Sequence, residues 1–599
     1  FNFKKRTLMT IKSPDILQEQ INSIIALFSC GQTQEALDAV EALIKNYPNE
    51  PVLYNISGAC YAGLGQLDTA VKNYEKTLTI KPDYAEAHNN LGVTLQELGQ
   101  HDDAVKCFEK ALAIKTDYAE AHNNLGNAFK VLGQPDTAVK SYEKALAIKP
   151  DFADAHYNLA VTLQGLGQLD AAVKSYQLAL TVKPDYAEAF NNLGSTLKEL
   201  GQLDTAVKSY EQVLAINPDL VEAHNNLGVT LQELGQHDDA VKCFEKALVI
   251  KPDYVDAHTN LGISLQKLGQ LDEAVKYYEK VLAIKPDFTD AHYNLGNALN
   301  DLGQLNAAVK SYEKALAINP DFADAHNNLG IAFKELDQLG AAVKSYEKAL
   351  AINPDFADAH NNLGNVLKKL GQLDSAVKSF EKALAIKPDY AEVHNNLGFT
   401  LKELGQIDAA IKSFEKALAI KPDYAEGHNN LGLTLMELGQ LDAAIECYDK
   451  ALAIEPDFAE AHNNYGIVLL GLNRLDEALA CYERAFAINP EVNFLLGNLL
   501  HTKMHLCIWD DLPNRLNELT IKINNGEQVI EPFSLLALID DPELQMKVSE
   551  IQINEKYSKN HDLPEIGLYP KHKKIRIGYF SADFREHPVS ALTAELYEV

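Results

Sequence analysis

Two residue types recur along this 599-residue chain at intervals of 34, and both can do chemistry. Asparagine stands at Asn90, Asn124, Asn158, Asn192, Asn226, Asn260, Asn294, Asn328, Asn362, Asn396, Asn430, Asn464 and Asn498, without a break. A carboxamide offers both a donor and an acceptor. A column of them can therefore pair with the N–H and C=O groups of an extended peptide, whatever its side chains. Modest contacts of that kind add along a groove. The same amides can instead brace neighbouring helices. Histidine recurs at His88, His122, His156, His224, His258, His292, His326, His360, His394, His428 and His462. An imidazole array suggests metal ligation, but the spacing argues against it. Equivalent positions on packed helices lie ~8–10 Å apart, whereas zinc draws its nitrogens to about 2.1 Å from one centre. A packing role is expected for these rings, and no metal.

The elements that must position these columns follow from the same period. Proline stands at 48, 82, 150 and then every 34 residues to 490, with Thr116 in the one vacant place. Complete repeats then run from 51 to 492, thirteen of them, and residues 17–50 add a weaker copy that keeps Ala36 and Pro48. One unit reads YAEAHNNLGVTLQELGQHDDAVKCFEKALAIKTD, residues 84–117. His88, Leu91, Gly92, Leu95 and Leu98 share one face at helical spacing. Asp83 with Glu86 three residues later predicts a capping box at the start of that helix. Gly99 and Gln100 make a turn, and Ala104, Val105, Phe108, Ala111 and Leu112 form the buried face of a second helix. Glu86, Asn90, Val93 and Glu97 share the opposite stripe of the first helix. The acidic members at its start, such as Glu86, Glu120 and Asp154, complement the helix dipole or bias the groove toward basic segments.

Leu-Gly, then Ala, then Phe or Tyr, then Pro at a 34-residue period resembles the tetratricopeptide repeat (TPR). Such a unit cannot bury its own apolar face, so neighbours stack into a continuous core. The resemblance implies a mostly α fold, a right-handed superhelical α-solenoid whose first helices line the concave side. The partners expected are proteins or extended peptides along that side.

Composition narrows the partners further. With 84 acidic against 54 basic residues the net charge is −30, which disfavours phosphate backbones and anionic lipid surfaces. No nucleic-acid or membrane partner is expected. No apolar run reaches the ~18 residues of a membrane span, and FNFKKRTLMT is not followed by the apolar stretch of a secretory signal. Seven cysteines occur without a CxxC pair, and Cys107, Cys243, Cys447 and Cys481 share one mid-helix repeat position. Buried thiols of this kind behave as small hydrophobes and fit a reducing, cytoplasmic compartment.

Beyond Pro490 the pattern decays. Residues 493–573 read as a partial repeat and a helical connector, with a helix over 511–524 and two short helices in EPFSLLALIDDPELQMKVSEIQINEKYS. Residues 574–581, KIRIGYFS, read as a buried strand, 582–588 as a loop and 589–598 as a helix. IRIGYFSADFREHPVSAL resembles the start of the catalytic region of protein O-GlcNAc transferases, the family 41 glycosyltransferases that include Spindly-type enzymes. The Trp509-Asp510 and PFSLLALIDDPELQ segments resemble the connector of bacterial members. The resemblance implies the first strand-loop-helix of a GT-B α/β domain over 574–599. It also implies transfer from UDP-N-acetylglucosamine to protein Ser/Thr without a metal or other cofactor beyond the sugar donor. His587 matches a histidine that the family places at its active site. A histidine there suits proton handling or hydrogen bonding; its simpler reading is a turn residue before Pro588. The family's donor-binding lobe lies far downstream. Together with Phe1 as first residue and an N-terminal extension over 1–16, this leads us to expect a fragment of a longer frame, inactive by itself. A non-catalytic TPR scaffold and a protein O-fucosyltransferase are the alternatives.

Overall fold

The computed structural model describes residues 14–556, and every element among them is an α-helix. The chain divides into two compact units, 1–366 and 367–599, with the division falling inside helix Ala357–Lys369. The expected strand, loop and helix over 574–598, and with them His587, lie outside the described residues.

Residues 51–492 hold thirteen helix pairs, Pro51–Gly63 with Leu67–Ile80 through Ala459–Gly471 with Leu475–Ile488. A further pair, Pro14–Ser29 and Thr33–Asn46, precedes them in the first unit. In the second unit they are followed by Leu495–His505, Leu512–Asn524, Pro532–Leu538 and Pro542–Lys556. The helix expected over 511–524 is present, and of the two short ones expected after it Pro532–Leu538 has 7 residues whereas Pro542–Lys556 has 15.

Within a pair the helices turn on a residue in the left-handed region, for example Gly99 at φ 77°. Glycine adopts that conformation without steric cost. Asp337 and Asn473 take the same place in two repeats. The expected capping box is not formed. The first helix starts one residue later, at Ala85, with Tyr84 as N-cap and no side-chain cap bond. That leaves Asp83 outside the helix. The second helix ends at Ile114, and Lys115 folds its ammonium over the Tyr118 ring, 4.7 Å from the centroid.

The two helices of a pair approach closely because the first carries glycine where the second carries an aromatic ring. A Cβ on Gly92 would lie 2.6 Å from Phe108 Cε1, and one on Gly262 would lie 2.6 Å from Tyr278 Cε1. These rings are fully buried and join neighbouring pairs into extended cores in the first unit. In the second unit Tyr482, Leu495 and Leu499 continue the packing into helix Leu495–His505. There the connector closes the end of the array. Phe494 N–H donates to Gln528 O and Gly497 N–H to Val529 O, so residues 527–531 run across the start of that helix.

All seven cysteines are unpaired. Cys30 and Cys507 are exposed, while burial raises the pKa of Cys107 and Cys447 and takes those of Cys60, Cys243 and Cys481 to about 11. The thiolate is the reactive form. A disulfide reagent at neutral pH should therefore titrate two thiols quickly and the other five only after denaturant is added. Five fast thiols in the native protein would contradict this burial.

Candidate functional site

Each of the thirteen asparagines sits on a first helix and is half-buried. Their side chains have found partners that the 34-residue register does not suggest. Asn124 Nδ2 donates to Asn89 Oδ1 of the preceding repeat at 3.0 Å, Asn158 to Asn123 at 3.0 Å and Asn260 to Asn225 at 3.1 Å. Asn90, Asn226 and Asn362 do the same to Asn55, Asn191 and Asn327. In the second unit Asn430, Asn464 and Asn498 donate to Asn395, Asn429 and Asn463. The offset is 35, because the acceptor stands one residue ahead of the column in the previous repeat, as the first member of an Asn-Asn dipeptide everywhere but at Asn55, which Ile56 follows. Most of that acceptor column is buried: Asn89, Asn123, Asn225 and Asn463 are 5–8% exposed, while Asn55 and Asn191 are half-buried. The dipeptide was visible in the sequence, yet only its second member entered the peptide-binding reading.

Where the dipeptide changes, so does the bond. Asn192 donates to Tyr157 Oη and Asn328 to Tyr293 Oη. Before Asn294 the position holds Thr259, whose hydroxyl turns to Val255 O, and no cross-repeat side-chain bond forms there. Asn396 occupies the same half-buried place in its helix.

One amide hydrogen of each bonded asparagine is thus used within the protein. The carboxamide oxygens of Asn124, Asn158, Asn226 and Asn464 are not. Beside them, at the starts of the first helices, stand the exposed carboxylates Glu86, Glu120, Asp154, Glu222 and Glu460.

The histidines are tied in place one by one. His88 Nε2 bonds the carbonyl of Pro82 at 3.0 Å, His156 that of Pro150 at 2.9 Å and His258 that of Pro252 at 2.8 Å. Since a carbonyl only accepts, Nε2 carries the proton. The Nδ1 atoms of His88, His156, His224, His258, His292 and His326 are buried without a partner. Burial lowers the pKa of His88 against the raising effect of the Pro82 bond, and nearby Lys110 lowers it further. Among the described residues no cluster of three or more potential ligands is placed to hold a metal ion. No described helix is long and apolar enough to cross a membrane.

At the end of the array, in the second unit, a cavity of about 650 Å³ opens against these amides. Asn464, Asn498, Glu460, Tyr482 and Glu531 are among its walls.

Comparisons with known proteins identify the repeat. Tetratricopeptide-repeat models match residues 49–151 and 219–287, a TPR repeat model matches seven stretches within 165–235 and 296–473, and further tetratricopeptide models match 141–174, 277–310 and 459–492. None of these matches extends past residue 492. No curated protein matches the chain. Among solved structures, MamA is 28% identical over 27% of this chain and 95% of its own, with a TM-score of 0.27. YrrB, described as a TPR protein with an unusual peptide-binding site, is 26% identical over 31% and 96%, with a TM-score of 0.29. The Cut9–Hcn1 hetero-tetramer of APC/C is 17% identical over 76% and 96%, with a TM-score of 0.36. With the matched models together running unbroken from 49 to 492, over helix pairs of the matching pattern, this chain belongs to the tetratricopeptide-repeat family.

Proposed function

We propose that the chain is a protein-interaction scaffold whose first-helix faces take extended polypeptide, with the asparagine column reading the main chain. One observation carries this reading: half-buried carboxamides recur in twelve of the thirteen repeats and in the partial one after them, and in Asn124, Asn158, Asn226 and Asn464 the oxygen keeps its acceptor capacity. The cross-repeat bond orients each amide, so little rotamer entropy is lost when a peptide N–H arrives. Asn90 through Asn498 are accordingly the proposed contacts, those that bond across repeats having a second role as braces.

Replacing Asn124, Asn158, Asn226 and Asn260 together with Ala tests both roles. Each lost contact costs on the order of 0.5–1.5 kcal/mol of binding, so the affinity for an uncharged Gly/Ser/Thr peptide should fall more than about tenfold. The oxygens of Asn89, Asn123, Asn191 and Asn225 lose their donors too, three of them on buried residues, and the melting temperature should fall. Isothermal calorimetry well below the melting transition separates the effects. Unchanged affinity in a folded variant would leave the column a brace alone.

A transferase reading rests on the sequence of residues 493–599, its catalytic signature lying outside the described residues. The expectation that this chain is inactive by itself is tested with UDP-N-acetylglucosamine and a Ser/Thr peptide: a mass shift on the peptide would overturn it.

A further inference from the structure

The fully buried tyrosines of the second helices differ in one respect. Tyr142 and Tyr312 donate their hydroxyls to Asn127 and Asn297, fifteen residues back on the first helix. Tyr176 and Tyr278 use Gln164 and Gln266, twelve residues back. At Tyr482 both places are apolar, Ile467 and Leu470. Its hydroxyl is buried without a partner, as are those of Tyr346 and Tyr448, but of the three only Tyr482 lines the cavity at the end of the array. Ile467 and Leu470 line it as well. An unpaired buried hydroxyl costs stability, and most native proteins pair such groups.

The rest of the lining describes what would meet it. Asn463 is 5% exposed, and its oxygen accepts from Asn498, leaving its amide hydrogens unused. Three carboxylates, Glu460, Glu491 and Glu531, face the cavity, and no Lys, Arg or His does. Glu491 is neutralised by Lys522 at 2.6 Å, and Glu531 accepts from Gln552 at 2.7 Å. Glu460 has no partner, so a net negative charge is left beside an apolar floor. Val492 and Phe494 complete that floor. A planar guanidinium on an aliphatic stem matches such a wall, because it is weakly hydrated and forks well onto carboxylate oxygens.

We infer that this cavity is a side-chain pocket for a basic residue, arginine above all, of an extended polypeptide bound along the array. The Tyr482 hydroxyl donates to a main-chain carbonyl of that segment, and Glu460 and Glu531 hold the cation. The inference rests on the scaffold reading and adds its selectivity.

The test uses the full chain and three fluorescein-labelled Gly/Ser/Thr peptides that differ only in a central Arg, Gln or Glu. Anisotropy should show the Arg peptide bound about tenfold tighter than the Gln peptide, the Glu peptide weakest, and the Arg advantage shrinking as salt is raised. The double variant Glu460→Gln, Glu531→Gln should abolish the advantage while the Gln peptide binds as before. Tyr482→Phe should weaken the Arg and Gln peptides alike, by several-fold, without lowering the melting temperature. A merely structural hydroxyl would leave binding unmoved. Equal binding of Arg and Gln peptides, or an Arg advantage that survives the double variant, overturns the pocket and leaves the scaffold standing. Failure of every peptide to bind overturns both.

Discussion

Acidification from pH 7.5 to 5 is expected to lower the melting temperature of the repeats steeply, with most of the loss below about pH 6.5. Burial lowers the pKa of His88, His122, His258, His326, His394 and His428 in the folded chain, partly opposed by the carbonyl bond each ring makes. The unfolded chain keeps the ordinary value. Below that value the unfolded state binds more protons than the folded one, so stability is complete above it and drains away as pH falls toward the folded pKa. The slope is about 1.4 kcal/mol per pH unit for every histidine that stays neutral in the fold while its unfolded counterpart is charged. The geometry explains the cost. Nε2–H is already committed to a carbonyl, so a second proton would sit on a buried Nδ1 with no acceptor. Lys110 beside His88, Lys280 beside His258 and Lys416 beside His394 add repulsion. The chain contains its own control. Phe190 occupies the histidine place in one repeat, so the position accepts a ring that cannot titrate. Changing these six histidines to Phe should flatten the profile between pH 5 and 7.5. A profile as steep as the parent's would show that other groups set it.

The substitution Gly262→Val should be among the most damaging single changes in the array. A Cβ at this place would meet Tyr278 Cε1 at 2.6 Å and Cζ at 2.9 Å. Tyr278 is fully buried, and its hydroxyl is held by Gln266. The ring cannot swing away without losing that bond and opening the core. Overpacking of this kind costs about 1–3 kcal/mol and occasionally more, and the β-branch adds χ1 crowding in a helix. Gly262→Ala should be far milder. Ala160 faces Tyr176 in a natural repeat and is fully buried there, and alanine recovers about 1 kcal/mol of helix propensity over glycine. Urea denaturation of the two variants measures the difference. If valine cost no more than alanine, the close approach of the two helices would not be what excludes side chains here. Since each repeat leans on its neighbours, hydrogen exchange should also rise in the flanking pairs of the valine variant.

The period of 34, the Leu-Gly and Ala-aromatic pairs and the recurring proline were enough to place the helix pairs from 51 to 492. Local rules suffice for that, because each pair is built from contacts within or next to one repeat. Start points were less legible. Asp83 looked like a cap, but tertiary packing begins the helix at Ala85. The partners of the polar columns belong to the tertiary structure alone. Asn124 was visible as one of a register; that it donates to Asn89 depends on the offset between stacked first helices, which packing sets. The same holds for His88 and the carbonyl of Pro82. The orphan hydroxyl of Tyr482 shows the limit most clearly. Sequence places Ile467 and Leu470 fifteen and twelve residues before it, as it places Asn127 and Gln164 before Tyr142 and Tyr176. Only the fold shows that those offsets decide whether a buried hydroxyl is satisfied, because a hydrogen bond requires angstrom-scale proximity that a repeat period does not encode.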